Sequence, residues 1–367
     1  MEEKMNIPLV KVYVDDEIKK AVLEVLDSGW YILHEKVQEF ERKFAEFCGV
    51  KNAVCVSSGT AAIFLSLLAL DIKHGDEVII PSFSFISSAT PIIEVGAKPI
   101  FVDIKAKTYT VDPEKIREAV TNRTKAIMPV HLYGHPADMD VILEIAEEND
   151  IYVIEDACQA HGAEYKGRKA GGIGHVACFS FYPSKNMTVC GDGGAIVTNI
   201  EEIAEIVRKL RDHGRRDKYV FELKGYNLRF NEIQAAIGIK QLEKLPGWNE
   251  ARRNTARMYN QALKDLVITP VEEPWAKHVY HLYVIRTRKR NELKEFLSRQ
   301  GISTLVHYPL PIHKQPAITS LFGAQPTLKN TEKFADEVLS IPMYPTLTKR
   351  EVKYVSDKIS KFFETSK

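Results

Sequence analysis

Between Ala53 and Asn199 the chain repeats one pattern: a short, nearly unbroken apolar run, then a stretch whose apolar residues recur at helical spacing. "AVCVSS", "EVIIPS", "KPIFVDI", "KAIMPVHLY" and "YVIEDA" read as strands, and "AAIFLSLLAL", "PEKIREAV" and "MDVILEIAEEND" as helices. A strand with one wet face alternates polar and apolar residues. Runs that are apolar at almost every position belong to strands buried on both faces, as in a parallel sheet covered by helices. The expected fold class is therefore α/β with a mostly parallel central sheet. "ACFSF" and "GAIVTN" lie close together across a glycine-rich stretch and read as an adjacent strand pair, with helices following at about 201–212, 231–244 and 249–263. After Pro246 and Gly247 the pattern changes to a helix, a strand "VYHLYVIRT", a helix "RNELKEFLSRQG", a strand around "STLVHY" and a final helix from Lys349. This divides the chain into a large unit, 1–246, which includes the N-terminal segment, and a smaller α+β unit, 247–367. Clefts between such units, at the C-terminal ends of parallel strands, are where ligands usually sit.

Charge narrows the partners. With 50 Lys+Arg against 49 Asp+Glu in 367 residues there is no long-range attraction for nucleic acid or anionic membrane, which leaves small molecules and protein surfaces. No apolar run reaches the roughly 18 residues that span a bilayer, and Met-Glu-Glu-Lys lacks the basic and apolar segments of a signal peptide. Cys48, Cys55, Cys158, Cys178 and Cys190 are scattered, with no C-x-x-C pair and no histidine spacing suited to zinc, so they read as free thiols in a reducing compartment. The expectation is a soluble, cytoplasmic protein without a metal site.

Four stretches carry candidate chemistry, and each has an ordinary alternative. "SSGTAA" ends a strand with Gly59-Thr60 and opens an apolar helix, whose first N–H groups suit a phosphate; the alternative is a plain capped helix. "VIEDACQAHGA" puts Glu155, Asp156, Gln159 and His161 at the end of a buried strand, where a carboxylate needs a cationic or hydrogen-bonding partner; a structural salt bridge or a helix cap would also explain Asp156. In "SFYPSKNMTVCGDGG", Lys185 sits between an apolar wall of Phe179, Phe181 and Tyr182 and the glycines Gly191, Gly193 and Gly194, which let backbone approach a ligand. A lysine in a partly desolvated site loses basicity and becomes a nucleophile able to form a Schiff base, whereas a lysine without such context is usually surface solvation. "PSFSFISSAT" places Phe83 and Phe85 just past a strand end, either as core or as a platform for a flat ring. Pyridoxal 5'-phosphate satisfies all four demands at once: a phosphate site, a lysine for its aldehyde, a carboxylate for its pyridine nitrogen and a stacking partner.

These stretches, joined by "SGWYIL", "RDHGR", "GYNLRFNEIQAA" and "HYPLPIHKQP", resemble the DegT/DnrJ/EryC1/StrS aminotransferases in order, from about residue 6 to the C-terminus. The resemblance implies a fold type I pyridoxal phosphate enzyme that transfers nitrogen from an amino acid, glutamate by likeness, to the C3 or C4 ketone of a nucleotide-linked sugar. The product is an amino sugar for polysaccharide or secondary-metabolite assembly. It makes Lys185 the lysine that condenses with the cofactor, Asp156 the partner of the pyridine nitrogen and Gln159 a contact on the 3-hydroxyl side. Gly59, Thr60 and Ser180 would hold the phosphate, Asn227 would reach it from the second chain of a homodimer, and Phe85 would stack on the ring. Tyr31, His307 and Tyr308 match substrate-facing positions. His34 stands where the family commonly has glycine, and Ala61, where some relatives carry Asp, leans toward the group acting at C4. Relatives that dehydrate sugars carry histidine at the lysine position, so Lys185 favours transamination over that alternative; a non-catalytic regulator keeping the fold is the other. A nicotinamide site at Gly172–Ala177, which fits G-x-G-x-x-A, lacks the preceding strand and following helix that the motif requires.

Overall fold

The computed structural model describes residues 4–365. Its strands are β1 (Asn52–Val56), β2 (Glu77–Pro81), β3 (Lys98–Val102), β4 (Thr124–Ile127), β5 (Tyr152–Asp156), β6 (Glu164–Tyr165), β7 (Arg168–Lys169), β8 (Val176–Ser180), β9 (Gly194–Thr198), β10 (Ala276–Lys277), β11 (Tyr283–Arg286) and β12 (Val338–Ile341). The helices are α1 (Asp16–Ser28), α2 (Glu35–Cys48), α3 (Gly59–Ala69), α4 (Thr90–Glu94), α5 (Pro113–Ala119), α6 (Met139–Asn149), α7 (Glu201–Leu210), α8 (Glu232–Leu263), α9 (Arg290–Arg299), α10 (Pro316–Phe322), α11 (Lys329–Glu337) and α12 (Lys349–Thr365).

The central sheet has seven strands in the order β1-β9-β8-β5-β4-β2-β3. Pairing is parallel from β8 through β5, β4 and β2 to β3, and antiparallel where β9 meets β1 and β8. The strands are buried on both faces, as their unbroken apolar character requires. Val54, Val56, Cys178 and Ile196 pack on one side with α3, α4 and α7. Their neighbours in sequence, Ala53, Cys55, Ala177, Phe179, Ala195 and Val197, pack on the other side with α2 and α8. Phe44 sits edge-on to Phe179 at 5.0 Å and to Phe181 at 5.2 Å, beneath the segment that carries Lys185. Truncating one of these buried rings to alanine costs about 3–5 kcal/mol on general grounds.

Glu232, in the first turn of α8, anchors α2. Its carboxylate accepts the backbone N–H groups of His34 (2.7 Å), Lys36 (2.7 Å) and Val37 (3.0 Å), which would otherwise be orphaned at a helix start. His34 itself is the residue before α2, its ring stacked on Trp30 at 4.4 Å.

Two expectations are corrected. The helices anticipated at 231–244 and 249–263 are one 32-residue helix, α8, which runs through Pro246. Proline costs about 3 kcal/mol in a helix interior. Burial of Leu242, Leu245, Asn249 and Arg252 on either side of it offsets that cost. The strand expected around "STLVHY" is a single bridge, Leu305 to Ser340, because Pro309 and Pro311 beyond it have no N–H to extend a ladder.

α8 contributes Ala235, Ile239, Leu242 and Leu245 to the core under the sheet, and Ala256, Tyr259 and Leu263 to a second core with β11, β12, α9 and α12. The 246/247 division thus falls inside a helix shared by both cores. Ile7 bridges Ile302 and is buried in the second core, so the N-terminal segment packs with the C-terminal unit.

Candidate active site

A cavity of roughly 570 Å³ opens at the C-terminal ends of β2, β5 and β8, beside the start of α3, where the sheet directs its strand ends and helix N-terminus to one point. Its lining includes Gly59, Thr60, Phe85, Asp156, Gln159, Ser180, Lys185, His307 and Tyr308, which brings together nine of the sequence candidates. Tyr31 and Asn227 are exposed and are not among the lining residues. The Tyr31 hydroxyl donates to Leu26 O at 3.3 Å, and Asn227 accepts from Arg229 Nε at 3.0 Å.

At the start of α3, Ser58 Oγ takes the N–H of Ala61 at 3.0 Å and Ser58 O takes that of Ala62 at 3.0 Å. The N–H groups of Gly59 and Thr60 are left without a protein acceptor among the described residues. A Cβ on Gly59 would lie 2.7 Å from Ser180 Cβ and 3.0 Å from Cys158 Sγ, so only glycine lets the helix start touch the end of β8. The glycines after Lys185 serve packing as much as ligand approach: a Cβ on Gly194 would sit 2.4 Å from Ser58 O, and one on Gly193 would meet Val189 and Phe230 at 2.7 and 2.8 Å.

Asp156, the last residue of β5, is buried and accepts two hydrogen bonds, from Ser88 Oγ at 2.8 Å and from Cys158 N at 3.2 Å. Both of its oxygens act as acceptors, which braces the carboxyl group in one orientation. Glu155 points to the opposite face, as adjacent strand residues must. There it collects His131 Nε2 (2.9 Å) and the N–H groups of Gly171 (2.8 Å), Ile173 (2.8 Å) and Gly174 (2.7 Å). The stretch resembling a nicotinamide motif is thus a loop closed on Glu155, and it leads into strand β8.

Lys185 is half-buried in the hairpin connection between β8 and β9. Its Nζ has no hydrogen bond or ion pair among the described residues, and its backbone N–H donates to Tyr182 O at 2.9 Å. Desolvation lowers its pKa below the ordinary 10.5 despite the opposing pull of Cys158 and Asp156. Burial, reinforced by the charge of Lys185, also lowers His307 to about 4. The amine therefore faces neutral imidazole rather than a second cation.

Phe85 is 54% exposed and lies 6.0 Å from the Tyr308 ring, whereas Phe83 is fully buried in the core, so only Phe85 can serve as a platform. Gln159 accepts the N–H of Tyr133 at 2.7 Å through Oε1 and donates through Nε2 to the Tyr308 hydroxyl at 3.1 Å. Tyr133 in turn donates to the carbonyl of His307. Sequence reasoning missed Ser88, although Ser84 and Ser88 stand at i, i+4 and share a hydrogen bond of 2.8 Å. It also missed His281, the one polar position in "YHLY".

The donor set fits pyridoxal phosphate: free helix N–H groups at the start of α3, a buried carboxylate braced as an acceptor, an unpaired amine and an exposed aromatic platform. Comparison with known proteins agrees with that chemistry. The chain is 43% identical to a "Pleiotropic regulatory protein" of Geobacillus stearothermophilus, over 98% of this chain and 99% of that one. It is 43% identical to the dTDP-3-amino-3,4,6-trideoxy-alpha-D-glucose transaminase of Streptomyces venezuelae, over 95% of this chain and 92% of that one. The PLP form of the putative sugar aminotransferase Spr1654 from Streptococcus pneumoniae superimposes with a TM-score of 0.94 at 27% identity, covering 98% of this chain and 99% of that chain. The profile of the DegT/DnrJ/EryC1/StrS aminotransferase family matches residues 12–360, and with relatives this similar along nearly the whole length the chain belongs to that family.

Proposed function

We propose that this protein binds pyridoxal 5'-phosphate and transfers an amino group from an amino acid, glutamate by likeness, to the ketone of a nucleotide-linked sugar. The observation that carries the reading is Lys185, an unpaired amine of lowered basicity sharing one cavity with the braced carboxylate of Asp156. Gly59, Thr60 and Ser180 would hold the phosphate, Asp156 would face a protonated pyridine nitrogen, and Phe85 would cover the ring. Gln159 would lie on the 3-hydroxyl side. When bound, the cofactor supplies an electron sink for breaking the C–H bond next to the transferred nitrogen.

The chain's own residues do the rest. Lys185 Nζ would hold the cofactor, and as a free amine it would take the proton from the donor carbon and return it as general base and acid; its lowered pKa would make that exchange easier near neutral pH. Ser88 and the Cys158 N–H hold both Asp156 oxygens as acceptors and so fix the direction in which the carboxylate would face the pyridine nitrogen. His307 and Tyr308 line the cavity and would orient the sugar there. The likeness to a transaminase whose product carries nitrogen at C3 supports C3 as the position, against the lean toward C4 from Ala61.

Tyr31 and Asn227 lie outside their own chain's cavity, which supports a homodimer in which they serve the neighbouring site. A cytoplasmic location is part of the proposal, and no described helix is long and apolar enough to cross a membrane. The deciding experiment is borohydride reduction of the protein loaded with pyridoxal phosphate, followed by peptide mapping and assay of glutamate with a panel of nucleotide keto sugars. A pyridoxyl group on Lys185 and an aminated sugar are expected; a label elsewhere, or none, contradicts the reading.

A further inference from the structure

His281 forms part of the cavity wall, almost wholly buried, on the segment just before β11. Its tautomer follows from a chain of side-chain amides. Asn249, on α8, donates through Nδ2 to His161 O at 2.8 Å, so its Oδ1 is free to accept Asn186 Nδ2 at 2.8 Å. Asn186 Nδ2 also donates to Val279 O at 3.0 Å, so both amide hydrogens point away from His281 and Asn186 must accept with Oδ1. At 3.2 Å from that oxygen, His281 Nδ1 carries the proton. Nε2 is therefore a bare lone pair, and it has no hydrogen-bond partner among the described residues. Arg252 fixes the segment from behind, donating to the carbonyls of Tyr280 (3.2 Å), His281 (3.3 Å) and Met343 (3.0 Å).

We propose that His281 is a positioning residue for Lys185: the Asn249–Asn186 relay locks its Nδ1–H form, and Nε2 accepts a hydrogen bond from the Lys185 ammonium once that amine is released. Asn186 follows Lys185 in the chain, so one relay sets both the backbone beside the amine and the acceptor that receives it. The charged and titratable groups facing His281 are Lys185, Arg252, His307 and His161. Burial and these neighbours hold its pKa well below 6.5, so the ring stays neutral and Nε2 stays an acceptor at working pH. This inference rests on the cofactor reading above, since it concerns the amine in its released state.

Three variants separate the two nitrogens. His281→Asn keeps a donor for Asn186 and removes the cavity-facing acceptor; His281→Gln carries an acceptor to the Nε2 position; His281→Leu removes both. Each full-length enzyme is loaded with pyridoxal phosphate and checked by borohydride mapping. It is then converted with glutamate to the form in which Lys185 is free, and the pH dependence of Lys185 carbamylation by cyanate is read by mass spectrometry. An acceptor stabilises the ammonium, so Leu and Asn should lower the Lys185 midpoint by about one pH unit, a tenfold change in equilibrium, while Gln restores most of it. Because the released amine loses the acceptor that positions it, the single-turnover rate with glutamate should fall about tenfold in Leu and Asn despite the lower midpoint, with little change in half-saturating glutamate. An unmoved midpoint in all three variants overturns the inference, as does rescue by Asn but not by Gln, which would mean simple anchoring. Should the Leu variant not fold, the Asn and Gln pair still decides. Absence of pyridoxyl label on wild-type Lys185 sinks the cofactor reading and this inference together, whereas a labelled lysine with an unmoved midpoint sinks this inference alone.

Discussion

Ser88 donates its hydroxyl to Asp156 Oδ2 across 2.8 Å, and because that hydrogen is committed, Ser84 is the donor in the 2.8 Å contact between the two serines. The carboxylate at the end of β5 thus terminates a short relay and is fixed as an acceptor. Asp156→Asn presents an amide in its place and would leave the pyridine nitrogen without a counter-ion. Turnover should fall by about 10²–10⁴ with the pyridoxyl group still attached to Lys185, while Ser88→Ala, which loosens the carboxylate without removing it, should cost about tenfold. Steady-state kinetics and the visible spectrum of the loaded enzyme check both.

Gly59→Ala forces a methyl to 2.7 Å from Ser180 Cβ, in a place where two backbones already touch. Overpacking of this kind costs about 1–3 kcal/mol. The start of α3 would be pushed off β8, and with it the N–H pair offered to the phosphate. The expected outcome is a lower melting temperature and a larger loss of pyridoxal phosphate affinity, measured by thermal unfolding and by titration of the cofactor-free protein. Unchanged affinity would show that the phosphate sits elsewhere.

Glu155 makes stability depend on acid. Burial pushes its pKa up, but hydrogen bonds from His131, Gly171 and Gly174 outweigh that and hold it below the ordinary 4.5. The folded state therefore binds this proton less readily than the unfolded chain. Its contribution is present above pH 4.5 and is lost as pH falls through that value toward the folded pKa. Glu155→Gln turns one acceptor into a donor facing N–H groups and should destabilise the protein by about 3 kcal/mol at neutral pH. The gap between wild type and variant should narrow below pH 4.5, read from urea unfolding midpoints across a pH series.

Mixing two variants tests the proposed sharing of the site between subunits. Lys185→Ala and Asn227→Ala should each be inactive or nearly so alone. After unfolding and refolding of an equal mixture, half of the random dimers are hybrids with one intact site each, so about a quarter of wild-type activity should return. No recovery would place Asn227 outside the neighbouring site.

The amino-acid sequence by itself determined the layering and the main chemical groups. Strands apolar at nearly every position, as in the "VIIP" of "EVIIPS", are buried on both faces, and Gly59, Phe85, Asp156 and Lys185 each stand at or just beyond the end of such a strand. It did not determine that Pro246 would lie inside a single helix, because local preference opposes it and only burial on both sides prevails. Strand alternation separates Glu155 from Asp156, yet which of the two meets the cavity depends on which layer covers each face. The bracing of Asp156 by Ser88 and the locking of His281 through Asn186 and Asn249 join residues 68, 95 and 63 positions apart. Hydrogen-bond direction across such separations is set by how the packed chain consumes each donor and acceptor, and no local pattern of residues encodes that.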